Sequence, residues 1–80
     1  ALSQSLRLAV EIISGGERDA LVVRERMLAL IATVGGVGVE YVAIVRDGTV
    51  DEAPVIDGPV TIAVAARVGT TRLIDNVRIG

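Results

Sequence analysis

This sequence predicts an α+β fold in which two helices pack on a small three-stranded, largely antiparallel sheet. Three features carry the prediction. Apolar residues recur at helical spacing through the first half, the period switches to two from Val37 onward, and glycine-rich or polar stretches punctuate the segments. The last two strand-like runs are separated only by "VGTT", which suits a hairpin and no longer connection.

Leu2, Leu6, Ala9, Val10 and Ile13 follow the i, i+3, i+4, i+7 rule, with Ser3, Ser5, Arg7 and Glu11 mostly off that face. This predicts an amphipathic helix over residues 1–14. Gly15 and Gly16 end it, because glycine takes the left-handed conformation beyond a helix C-terminus without a Cβ clash. A second helix is expected over 17–34, with the carboxylates of Glu17 and Asp19 in its first turn, where the helix dipole favours negative charge. Its stripe of Ala20, Val23, Met27, Leu30 and Val34 is broadened by Leu21, Leu28 and Ile31. A helix apolar around so much of its girth is expected between the first helix and a sheet, and "GGVG" at 35–38 turns the chain out of it.

Val39, Tyr41, Ala43 and Val45 then alternate with Glu40, Val42, Ile44 and Arg46, a strand signature. Residues 47–59 hold both prolines and four carboxylates, so a surface loop is expected there. A second strand covers 60–67, Gly69 supplies the positive φ of the turn, and a third strand covers 71–79. On this reading Val42, Ile44, Ile74 and Ile79 fall on the less protected side of the sheet.

Eighty residues make one domain, burying about 60–65% of the surface that the unfolded chain exposes. The chain is 51% hydrophobic and its only aromatic is Tyr41, so the core is aliphatic. Eight arginines face ten carboxylates for a net charge of −2, and lysine and histidine are absent. Neither a phosphate-binding footprint nor a stacking platform results, which argues against nucleic acid. With no cysteine there is no disulfide framework, thiolate nucleophile or thiolate metal site, and a cytoplasmic location is expected. No apolar run reaches the roughly 18–20 residues that span a bilayer, so no membrane partner is expected. The start without methionine, in helical pattern, reads as part of a longer chain.

The glycine pairs lack the spacing of a phosphate cradle and read as turns. Asp51, Glu52 and Asp57 match no calcium loop and read as a solvated acidic loop. Without histidine or cysteine no base or nucleophile stands out, so no residue is assigned a catalytic, cofactor-binding or metal-binding role. The closing run "AARVGTTRLIDNVRIG" crowds Arg67, Arg72, Asp75, Asn76 and Arg78 into few positions. Asp75 and Asn76 alternate to opposite faces and cannot share a pocket, while Arg67 and Arg72 stand nearly opposite and repel unless a carboxylate such as Asp75 lies between them. A structural ion cluster is expected.

The segment "AARVGTTRLIDN" resembles the C-terminal part of the pantothenate synthetase (pantoate–β-alanine ligase) family. "ALSQSLRLAVEII" is similar to the helix after that family's serine-rich nucleotide motif, and "VEYVAIVRDGTV" to its Val-Asp-Tyr-Leu-Glu strand and loop. Glu40 stands where the family commonly has Asp, and the acidic residue often following the tyrosine is missing. The resemblance implies a parent enzyme with an N-terminal Rossmann-like catalytic domain bearing a His-x-Gly-His motif, over which residues 1–80 close as a C-terminal lid. It further implies an AMP-forming ligation of pantoate and β-alanine with ATP and Mg²⁺, none of whose catalytic or nucleotide motifs matches a position here. The expected partner is that catalytic domain, and the lid alone is expected to be inactive and prone to self-association. The alternative reading of the residues is an autonomous α+β interaction or dimerisation module.

Overall fold

In the computed structural model, which describes residues 2–49 and 51–80, the first apolar stripe becomes the buried face of helix α1 (Leu2–Ser14) through Leu2, Leu6, Ala9 and Ile13. Ala1, where the expected helix starts, lies outside the described residues. Ser5 shares the buried face because its hydroxyl donates to the Leu2 carbonyl at 2.7 Å, so no polar atom is stranded. Gly16, at φ 111°, closes the helix: its N–H reaches the Ile13 carbonyl at 3.0 Å and that of Glu17 reaches Ile12 at 3.2 Å. These are the paired bonds of a Schellman ending.

Helix α2 spans Ala20–Ala32, starting later and stopping earlier than residues 17–34. Glu17 does not enter it; its carboxylate accepts the N–H groups of Arg18 and Asp19, both at 3.2 Å. Asp19 is extended, bridges to Val55, and caps the helix by accepting the Leu21 N–H at 3.0 Å. At the far end Thr33 caps α2 and its hydroxyl donates to Leu30 at 2.6 Å, leaving Val34 exposed. The buried stripe is Ala20, Val23, Met27 and Ile31.

The two helices lie side by side on one face of the sheet, α1 against β2 (Val60–Val68) and β3 (Thr71–Ile79), α2 against β1 (Val37–Arg46). The expectation that α2 sits between α1 and the sheet is therefore corrected: the architecture has two layers, and Leu21 is exposed. The sheet runs β1-β2-β3 and is antiparallel throughout. Val68 pairs with Thr71 across Gly69-Thr70, with φ 61° at Gly69 and no positive φ at any described non-glycine residue, the pattern of a type II′ turn.

The side-chain alternation of β1 breaks midway. Val39 pairs with Ala66 and Tyr41 with Ala65, so Glu40 is an extra residue, a β-bulge. Before it Val37 and Val39 pack against the core; after it Val42 and Ile44 do. Val42 and Ile44 were expected on the less protected side and are in fact buried, because one inserted residue swaps the two faces of the strand downstream. Ile79 also packs partly against the core, and only Ile74 of those four is strongly exposed.

The acidic loop is more than a surface connection. Ala53 N–H donates to Ile44 at 2.9 Å, Arg46 N–H to Asp51 at 3.0 Å, Ile56 N–H to Arg18 at 2.7 Å and Ala20 N–H to Pro54 at 3.1 Å. It thus straps the outer edge of β1 to the start of α2 and buries Ala53 and Ile56. That strap holds Asp19 extended and fixes where α2 begins.

Candidate functional site

With the helices on one face, the other face of the sheet carries Tyr41, Ala43 and Val45 from β1, Thr61, Ala63, Ala65 and Arg67 from β2, and Arg72, Ile74, Asn76 and Arg78 from β3. No described helix or loop covers its centre. Ala65 is nonetheless fully buried, lying between its cross-strand partners Tyr41 and Ile74, which are 40% and 55% exposed.

At the hairpin end Arg67 and Arg72 face one another directly in the register, two like charges that would repel. Glu40 resolves the conflict by offering one oxygen to each: Arg67 Nε donates to Oε2 at 2.9 Å and Arg72 Nε to Oε1 at 2.6 Å. The expected partner, Asp75, is corrected. It lies an odd number of residues from Arg72 and hence points to the opposite face, and its carboxylate accepts the N–H of Asn76 at 2.8 Å instead. Glu40 reaches the arginines because the bulge turns both it and Tyr41 outward. The hydrogen bonds from Arg72, then from Arg67, hold its carboxyl below the ordinary carboxylate range. The same bond to Glu40 raises Arg72 further. At the other end of the face Arg78 Nη2 lies 2.7 Å from Asp47 Oδ2, and Thr61 Oγ1 donates to Asp47 at 3.4 Å.

Glu40 was legible in the sequence as a charged residue in an apolar strand, but not as the pivot of the cluster. The available signal is the β-branched pattern, Val37 and Val39 followed by Val42 and Ile44, which keeps one face apolar only if one residue is looped out between them. Asn76 makes no side-chain hydrogen bond to this cluster among the described residues.

Two depressions lie elsewhere. An open groove of about 370 Å³ runs between α2, β1 and the strap, floored by Leu21, Val42, Ile44 and Ala53 with Arg24 and Glu52 at its rim. A smaller one of about 320 Å³ lies by Ile13, Arg18, Asp57 and Gly58. Neither brings a nucleophile next to a base. Among the described residues no three His, Cys, Asp or Glu side chains gather as metal ligands, those of Asp51, Glu52 and Asp57 included. No helix of the described residues is long and apolar enough to cross a membrane.

The described residues thus form a two-layer α+β unit with an open, arginine-rimmed sheet and without a catalytic constellation among them. The sequence profile of the Pantoate-beta-alanine ligase family matches residues 1–78, and the chain belongs to that family. It is 42% identical over 80 residues to a pantothenate synthetase of Thermotoga neapolitana, covering 100% of this chain and 29% of that protein. It is 40% identical over 80 residues to a bifunctional pantoate ligase/cytidylate kinase of Gloeobacter violaceus, covering 100% of this chain and 16% of that protein. The crystal structure of pantothenate synthetase from Thermus thermophilus superposes with a TM-score of 0.85 at 25% identity, over 95% of this chain and 27% of that one. The chain thus spans under a third of the length of these relatives.

Proposed function

We propose that these eighty residues work as the C-terminal lid domain of a pantoate–β-alanine ligase, inactive alone and acting against a nucleotide-binding catalytic domain of the same enzyme in the cytoplasm. The observation that carries this reading is the disproportion between match and content. The whole chain aligns within 29% of a protein named for the ligation, yet it has no histidine or lysine and gathers no catalytic or metal-ligating set among its described residues. ATP and Mg²⁺ then belong to the remaining part of the enzyme. The lid's contribution is positional: closure over bound substrates excludes water and completes the site.

The test is to replace the matching segment of the Thermotoga neapolitana enzyme by these eighty residues and to assay pantothenate formation from pantoate, β-alanine and ATP. The hybrid is expected to be active, a variant lacking the segment to lose most of its turnover, and the isolated chain to show no pantoate-dependent exchange of pyrophosphate into ATP. A deletion variant as active as the hybrid would refute the lid role. Exchange catalysed by the isolated chain would refute its inactivity.

A further inference from the structure

The two edges of the sheet differ in what covers them. Along β1, Ala53 N–H donates to Ile44 and Arg46 N–H to Asp51, so the strap occupies backbone groups that point away from β2. β3 has no such cover among the described residues. Val68 and Thr71 form the hydrogen-bonded pair beside the two-residue turn, and the alternation of an antiparallel ladder then points the N–H and C=O groups of Arg72, Ile74, Asn76 and Arg78 outward. Such a row is a template for another strand.

At the middle of that row one donor is already taken. The Asp75 carboxylate accepts the outward N–H of Asn76 at 2.8 Å and forms no ion pair among the described residues, although three arginines stand on the same hairpin. A negative charge therefore sits on the edge itself. An arriving strand must displace it from its hydrogen bond and strip its water, which is how charged side chains blunt sheet edges.

The order of residues in β3 also selects one register for pairing with itself. Two β3 strands joined antiparallel through their outer edges are related by a twofold axis normal to the sheet, so outward residues meet outward residues. With the axis at Ile74, that residue faces its own mate, Arg72 faces Asn76 and Thr71 faces Val77. No like charges are opposed. With the axis at Asp75, Asp75 would face itself and Arg72 would face Arg78, two repulsions. The register at Ile74 also covers apolar surface, since Ile74 is 55% and Leu73 42% exposed. In it the Asn76 N–H donates to the second copy's strand, and Asp75 comes to lie opposite Leu73, where its carboxylate has lost its donor.

We propose that the outer edge of β3 is an interaction surface for a second copy of this chain, the two strands pairing antiparallel about Ile74, and that Asp75 holds this surface in check by occupying the Asn76 N–H. The proposal is independent of the lid reading. It concerns contact between copies and not closure within one.

Sedimentation of the eighty-residue chain over a range of concentrations tests it, with circular dichroism showing that each variant is folded. Asp75→Ala is expected to tighten self-association roughly tenfold over the unaltered chain, the effect of freeing one donor from a charged acceptor. Asp75→Thr, which suits a strand and also removes the charge, serves as the second variant and should act alike. Ile74→Lys in either background places two cations face to face at the axis and should abolish the association. Because the chain has no cysteine, Ile74→Cys supplies a single thiol, which a short dithiol linker should join between copies of the Asp75→Ala chain, while Arg26→Cys on α2 should stay unjoined. Association no tighter in Asp75→Ala and Asp75→Thr than in the unaltered chain would overturn the role of Asp75. Association that Ile74→Lys leaves intact, or linking at Arg26→Cys but not at Ile74→Cys, would overturn the β3 edge as the surface.

Discussion

Ile44 and Ile74 offer a sharp check on the inverted face of the sheet, because the alternation of the sequence puts both on the less protected side and the structure separates them. Ile44 is 6% exposed and Ile74 is 55% exposed. Isoleucine to alanine deletes about three methylene equivalents, each worth about 0.8 kcal/mol when fully buried, so Ile44→Ala forfeits roughly 2.4 kcal/mol of transfer free energy. A residual cavity adds up to about 1 kcal/mol, but Ile44 borders the open groove beside α2, where neighbours can relax, so the total is about 3 kcal/mol. Ile74→Ala loses less than half of the transfer contribution and leaves no cavity, giving about 1 kcal/mol. For eighty residues about 1 kcal/mol moves Tm by about 6 °C, which makes the expected shifts roughly 18 °C and 6 °C. Urea denaturation followed by far-ultraviolet circular dichroism measures both free-energy losses, with an unchanged slope showing that the unfolded reference is the same, and thermal melts measure the two Tm shifts. Equal losses at the two positions would refute the bulge as the device that turns Ile44 inward.

Three further outcomes follow from particular contacts. Asp19→Ala removes the cap of α2 and should cost about 1 kcal/mol in the same denaturation, whereas Glu17→Ala, outside the helix, should cost clearly less. Because the arginines lower the Glu40 carboxyl in the folded state, its contribution to stability is complete above the ordinary carboxylate range and is lost as pH falls through the lowered folded value; Glu40→Gln should flatten that acid limb in a pH series of urea midpoints. Gly69→Ala meets no atom within 4 Å of the added Cβ but must hold φ 61°, so a loss of about 1–2 kcal/mol in thermal melts, without change in the circular dichroism spectrum at low temperature, is expected from backbone strain alone.

The sequence by itself determined the number, type and order of the elements, since periodicity and turn chemistry are local. The stripe of α1, its glycine ending, the Gly69 hairpin and the opposition of Arg67 to Arg72 all follow from residues within a few positions of one another. The family was legible for the same reason, in contiguous motifs near the two termini and in β1. What only the tertiary structure decided involves partners far apart in the chain. Where α2 starts depends on residues 54–56 holding Asp19 extended, and the burial of Ala53 and Ile56 depends on β1 offering a free edge. Glu40, not Asp75, separates the arginines because a bulge changes the side on which a strand residue emerges, and the sequence carries only an indirect trace of it, the shift of apolar parity from Val37 and Val39 to Val42 and Ile44. That single extra residue sets both which half of β1 enters the core and which charges rim the open face, because side chains on a strand have only two directions to take.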